Sequence, residues 1–234
     1  MNIKLFSLII FSLSFMATGQ ELGAPPVPHE INNLPSAGKK VALTFDACST
    51  RMPSHYDQNV TEVLLQTQTP ATIFVGGRWV REEKEHAKAL AANPLFELGN
   101  HTWDHPHLIK MTDAIVIDEI KKTQDILFKT TGKKATLFRA PYCELEPRIV
   151  KIAADLGLTT IQYDVASGDP DQNMTKEKLV KWVIKKAKGG SIIVMHINQR
   201  GWHTAEALPE IIAQLRAKGF ELVKVSDLLK SAIH

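Results

Sequence analysis

From Lys39 onward the chain alternates short apolar runs with longer amphipathic ones, about seven times in one pass. Val41, Leu43 and Phe45 alternate with Ala42 and Thr44, which is the period of a strand. Further strands are predicted at residues 71–75, 95–98, 135–138, 159–163, 191–195 and 220–225. The run at 191–195 is apolar throughout, as expected of a strand covered on both faces. Between the strands, residues 56–68, 79–92, 113–130, 146–156, 175–188 and 204–218 carry helical spacing, and Ser226 opens a last helix. In the 113–130 helix, Ile117, Ile120, Gln124, Leu127 and Phe128 follow helical spacing, and Gly132 caps the end. Such alternation predicts an α/β fold, with parallel strands joined by helical crossovers. The units suffice to curl into a single barrel, complete or not. A doubly wound open sheet is the alternative.

The first twenty residues follow a different rule. Lys4 precedes an apolar stretch from Leu5 to Met16, and Ala17-Thr18-Gly19 supplies small residues at a cleavage position. This is the pattern of a signal peptide over 1–19. The stretch is short for a membrane span, so no membrane association is expected after cleavage. An uncleaved anchor is the alternative. Residues 20–38 hold Pro25, Pro26, Pro28 and Pro35 and read as an extended leader to a domain over 39–232. Export implies a periplasmic or secreted protein and permits disulfides between its two cysteines, Cys48 and Cys143. A formal charge of +3 over 234 residues gives no case for a nucleic-acid partner.

The reactive residue types fall at predicted strand ends. Asp46 follows Phe45, His101 and His105 follow the third strand, Arg139 the fourth, Asp164 and Asp169 the fifth, and His196 the sixth. In parallel α/β folds these ends gather on one face, which carries chemistry. If the backbone makes one helical turn at 101–105, the two imidazoles stand about 5–6 Å apart at Cβ and suit one small cation.

In order and approximate spacing, Thr44-Phe45-Asp46, His101-Thr102-Trp103-Asp104-His105, Arg139-Ala140-Pro141-Tyr142, Asp169 and Met195-His196 resemble five motifs of the polysaccharide deacetylase family, the NodB-homology or carbohydrate esterase family 4 enzymes. The resemblance covers roughly residues 39–232. It implies a distorted (β/α) barrel of about seven parallel strands and metal-dependent hydrolysis of N-acetyl groups on a glycan such as peptidoglycan or a chitin-like polymer. It implies His101 and His105 as metal ligands, with zinc the expected ion and cobalt or nickel the alternatives. Asp46 matches the general base, Arg139 the residue that orients it, Asp169 the acid that holds the arginine, and His196 the general acid. Tyr142 matches a residue whose backbone N–H binds the oxyanion. Pro141 beside it and Trp202 on a rim loop are further substrate-binding candidates. A monomer is expected, acting on an N-acetylated polysaccharide or oligosaccharide.

One position departs from the pattern. Ala47 stands where the family has its second aspartate, the third metal ligand. The metal is then held by a replacement such as Asp46 or by water, or the site works without a tightly bound ion, or it is degenerate. The alternatives to a deacetylase are accordingly a glycan- or metal-binding envelope protein and a small-molecule esterase or amidohydrolase. Cys48 and Cys143 both stand beside motif residues, and a disulfide between them is expected. The rival role for Cys48 is that of a soft metal ligand.

Overall fold

The computed structural model describes residues 29–49 and 54–232. The signal pattern of residues 1–19 lies outside the described residues, as does the leader up to residue 28. The rest of the leader is part of the fold. Ile31 bridges Ile161, Asn33 bridges Ser191, and Pro35–Ala37 forms a 3-10 turn.

The centre of the sheet is β1 (Lys40–Ala47), buried from Val41 onward. Its side chains divide by parity, as a strand requires. Val41, Leu43, Phe45 and Ala47 enter the larger apolar core. Ala42 joins a smaller cluster with Phe74, Ile192 and Val223 on the inner face. Asp46 continues that inner row and reaches the open end.

Around β1 stand β2 (Ala71–Val75), β3 (Phe96–Asn100), β4 (Leu137–Phe138), β5 (Thr159–Thr160), β6 (Val165–Ala166), β7 (Ile192–His196) and β8 (Glu221–Val223). The order is β5-β4-β3-β2-β1-β7-β6, with β8 paired to the first part of β1, and every ladder is parallel. The sheet curls into a distorted half-barrel covered by helices. The barrel is therefore the outcome, not the doubly wound sheet.

Of the run expected as a strand at 159–163 only Thr159–Thr160 is strand, and a further short strand beyond it, Val165–Ala166, lies at the opposite end of this order. The chain crosses the open side of the barrel between Thr160 and Val165. It is held there by Asp164, whose carboxylate accepts from Ile192 N and Ser191 Oγ, both at 2.9 Å.

Eight helices are described: α1 (Gln58–Gln66), α2 (Gly77–Glu82), α3 (Lys84–Ala92), α4 (Asp113–Thr131), α5 (Pro147–Asp155), α6 (Lys176–Lys186), α7 (Thr204–Ala217) and α8 (Val225–Ser231). The single helix expected at 79–92 breaks at Glu83 (φ −108°, ψ 41°). Between Val80 and Ala87 the sequence offers nothing apolar to hold one continuous face, so the two halves bury Trp79 and Leu90 separately. Gly132 ends α4 at φ 72°, as its position predicts. Phe128 does not face inward: it is exposed under Lys134, and Val116, Ile120 and Leu127 form the buried face.

Candidate active site

The strand ends open into a cleft of about 290 Å³, lined among others by Asp46, Cys48, His101, His105, Arg139, Asp169 and His196. Sequence reasoning assigned six of these to the site and placed Cys48 beside it, as an expected disulfide partner. Asp46 and His196 are register partners on β1 and β7.

Asp46 is held by one cation. Arg139 Nη1 donates to Asp46 Oδ1 at 2.8 Å. Arg139 itself is 1% exposed, follows β4, and spends its other donors on Gln162 O (3.1 Å) and Ile161 O (3.4 Å). Its guanidinium lies 4.0 Å from the Phe74 ring centroid. Phe74 in turn needs Gly99, where a Cβ would stand 2.5 Å from its ring. Burial opposes ionisation of Asp46, but Arg139, His101 and His196 outweigh it and hold the carboxyl below its ordinary value.

His196 is held by an anion. Its Nδ1 lies 2.9 Å from Asp169 Oδ1, and its backbone N–H donates to Asp169 Oδ2 at 2.7 Å. A carboxylate accepts only, so Nδ1 carries the proton and Nε2 is left for substrate. Burial pushes the imidazolium down, yet Asp169 more than offsets it and the pKa is raised. Asp169 is fixed by Ser167 Oγ (2.9 Å) and Thr204 Oγ1 (2.6 Å). The expectation that Asp169 holds Arg139 is thus corrected. Asp169 sits across β7, on the side of β6, and its oxygens are occupied by His196, Ser167 and Thr204.

The loop after β3 is not a helical turn. Thr102 (φ 65°) and His105 (φ 55°) are both left-handed, and Glu119 accepts from the N–H groups of Trp103 and Asp104 at 2.9 Å. The imidazoles converge nonetheless, with centroids 5.0 Å apart. His101 Nδ1 donates to the carbonyl of Arg139 at 2.9 Å, which leaves its Nε2 lone pair for a ligand. His105 Nδ1 is buried without a hydrogen-bond partner among the described residues. Burial and the neighbouring His101 push the His105 pKa down to about 3, so the ring is neutral. Two neutral imidazoles, one with an orphaned nitrogen, fit a borderline divalent cation.

The expected Cys48–Cys143 disulfide is not formed. Both cysteines are free, Cys48 buried and Cys143 exposed. Cys143 makes its hydrogen bond with Tyr163, whereas the Cys48 sulfur lies beside the histidine pair. Cys48 Sγ and one nitrogen of each of His101 and His105 all lie within 4.8 Å of one another.

Tyr142 is half exposed at the cleft rim, at φ 57° above the buried Pro141. Its ring stacks on His107 (4.0 Å, 8°) and meets His105 edge-on (4.5 Å). Trp202 is exposed and is not among the residues that line the cleft; only its backbone reaches the site, donating to Asp169 O at 3.1 Å. Sequence reasoning missed Arg200, which lines this cleft and an adjoining one of about 590 Å³ bounded by Arg78, His107 and Tyr142. It missed Ser167 and Thr204 too. Ser167 stands two residues from Asp169 but carries no distinctive motif, and Thr204 reaches Asp169 only through the fold.

A carboxylate biased toward its ionised form and an imidazole biased toward its protonated form stand side by side on one strand ladder, beside a nitrogen pair suited to a cation. The class of protein that this fold and cleft define is a distorted parallel (β/α) half-barrel with its polar cleft at the strand ends. Within it the chain belongs to the polysaccharide deacetylase family, whose sequence model, described as "Polysaccharide deacetylase", matches residues 33–161. The peptidoglycan-N-acetylglucosamine deacetylase PgdA of Listeria monocytogenes is 30% identical over 204 residues, 87% of this chain and 41% of that protein. The uncharacterised protein YlxY of Bacillus subtilis is 30% identical over 176 residues, 75% of this chain and 54% of that protein, so the chain spans about half the length of these two relatives. A wild-type pseudoenzyme of the CE4 family from Bacillus anthracis has the same fold at TM-score 0.78 and 27% identity, over 86% of this chain and 69% of that one.

Proposed function

We propose that the protein is an exported, metal-dependent deacetylase that removes N-acetyl groups from an acetylated glycan, with peptidoglycan the substrate class. The observation that carries this is the opposed pair: Asp46 clamped by Arg139, and His196 clamped by Asp169, on neighbouring strands. One such pair supplies both proton transfers that amide hydrolysis requires.

His101 and His105 would hold the divalent ion, with zinc the first choice. When bound, that ion supplies Lewis acidity and water of lowered pKa. Asp46 takes the proton from the attacking water, and Arg139 keeps it a carboxylate oriented for that task. His196 gives its Nε2 proton to the departing amine, which is a poor leaving group until protonated. The Tyr142 N–H serves the tetrahedral oxyanion. The Tyr142 ring, above Pro141, and Trp202 farther out form a rim for sugar rings. Export is supported by the pattern of residues 1–19 and by the wall polymer named for the relatives.

A binding protein without catalysis is the second reading, favoured by the pseudoenzyme on the same fold and by Ala47 at a ligand position. Retention of acid, base and both orienting partners weighs against it. Acetate release from N-acetylated glycan oligomers, before and after chelation, tests the assignment. Release that is lost with chelator and returns with zinc is expected. Glycan binding without release under any divalent ion would overturn it.

A further inference from the structure

We infer that Cys48 is a metal ligand, so that the ion at this cleft is held by one thiolate and two imidazoles. This deepens the assignment above and rests on it only for the presence of an ion.

The geometry separates two neighbours in sequence into two tasks. Ala47 turns into the apolar core, while Asp46 and Cys48 on either side of it both line the cleft. Asp46 is the nearer carboxylate to His101, at 3.8 Å from Nε2. That approach is made by Oδ2 while Oδ1 accepts from Arg139 at 2.8 Å, and Asp46 is not in the group of donor atoms that converge within 4.8 Å of one another. Among the described residues, the group that does converge is Cys48, His101 and His105.

Cys48 is held in place from two sides. Gly76 N donates to Ala47 O at 2.8 Å, and the buried Asn198 donates its amide to Cys48 O at 3.0 Å. Both imidazoles are arranged for the same ligand: the His101 Nδ1 proton is committed to Arg139 O, and His105 Nδ1 has no partner. A Cys/His/His set with space on its fourth side, in an open cleft, matches the coordination of a catalytic rather than a closed structural zinc.

Binding breaks the S–H bond and forms the sulfur–metal bond, and the proton leaves to solvent. A dication with one thiolate and two neutral imidazoles has net charge +1, the value a carboxylate ligand would give. The site therefore keeps the electrostatics of a carboxylate-ligated ion but selects differently. Soft sulfur favours zinc, cobalt and cadmium over magnesium, calcium and manganese.

The probe is cobalt(II), titrated into the chelator-treated protein. Thiolate ligation gives an intense near-ultraviolet sulfur-to-cobalt charge-transfer band that nitrogen and oxygen ligands do not give. One equivalent should produce the band, and zinc should abolish it by displacement. The band should survive Cys143→Ser and vanish in Cys48→Ser. Cys48→Ala should bind zinc about a hundredfold more weakly or worse, and Cys48→Asp should bind without the band and with less preference against manganese.

Stoichiometric cobalt without the band in the wild-type protein overturns the inference, whatever the variants do. So does a band lost in Cys143→Ser and kept in Cys48→Ser, or an absence of cobalt binding. Acetate release is a separate axis. Sulfur-ligated cobalt without deacetylation would remove the proposed function and leave this ligand standing. Deacetylation that needs a metal held without sulfur would do the reverse.

Discussion

Asp46 and His196 occupy the same register position on adjacent parallel strands, β1 and β7. Parallel pairing gives both residues the same facing, so a base and an acid reach one cleft side by side. Each is biased by a partner from outside the pair. Arg139 comes from beyond β4 to hold Asp46, and Asp169 from beyond β6 to hold His196. The two partners stop the pair from collapsing into a neutral acid and a neutral imidazole. Without them, two buried groups would exchange a proton and lose both functions.

In the proposed reaction the His196 partner sets the alkaline limit. Burial lowers the His196 pKa, but Asp169 outweighs it and holds the pKa above its ordinary value of 6.5. The acid form therefore persists past the pH at which free imidazole loses its proton, and activity falls as pH rises through the folded value. Asp169→Asn removes the anion, so the alkaline limb of kcat should move to lower pH, with a loss of about a hundredfold or more at the optimum. A reduced rate with an unmoved limb would mean that another group supplies the leaving-group proton.

Arg139 is a stability residue as well as an orienter. Arg139→Met leaves a buried carboxylate unpaired, and such breakage costs about 3–5 kcal/mol. The Asp46 pKa is lowered in the folded state, so its contribution to stability is present above pH 3.8 and is lost as pH falls through the folded value. The Arg139→Met protein should therefore lose stability at neutral pH and recover part of the deficit as the medium is acidified. Asp46→Asn combined with Arg139→Met should cost less than the sum of the two, which denaturant unfolding of all four proteins would measure.

The barrel was legible in the alternation of strands and helices, and so was the gathering of Asp46, His101, His105, Arg139, Asp169 and His196 at one cleft, because strand ends share one face. What was not legible depends on where a chain goes between elements. The crossing from Thr160 to Val165 cut one expected strand short and carried Asp169 to His196 instead of Arg139. Both cysteines neighbour motif residues in sequence, and only coordinates show one thiol beside the imidazoles and the other at Tyr163. The pair at 101 and 105 converges, but through left-handed residues stabilised by Glu119, sixteen residues on from Trp103.

Tyr142 separates binding from chemistry. Its proposed oxyanion donor is a backbone N–H, while its ring stacks on His107 at the rim. Tyr142→Ala keeps the N–H and deletes the ring. KM for glycan oligomers should rise several-fold, the size of an aromatic contact worth about 0.5–1.5 kcal/mol, with kcat changed less. Equal loss in kcat with KM unmoved would place the ring in the transition state.

Gly201 is the test of how tightly Asp169 must be held. A Cβ at this position would stand 2.2 Å from Thr204 Oγ1 and 2.8 Å from Asp169 Oδ2, and neither atom can yield without breaking the 2.6 Å bond between them. Thr204 begins α7 and Asp169 is 1% exposed, so the displacement passes to the carboxylate that positions His196. Gly201→Ala should cost about 1–3 kcal/mol of stability by overpacking and lower kcat by about tenfold or more, with KM nearly unchanged. Thr204→Val removes the same hydrogen bond without the clash. It should show the kinetic defect with a smaller loss of stability. If Gly201→Ala lowers stability while kcat stays at the wild-type value, Asp169 tolerates movement and its hold on His196 is not what the rate depends on.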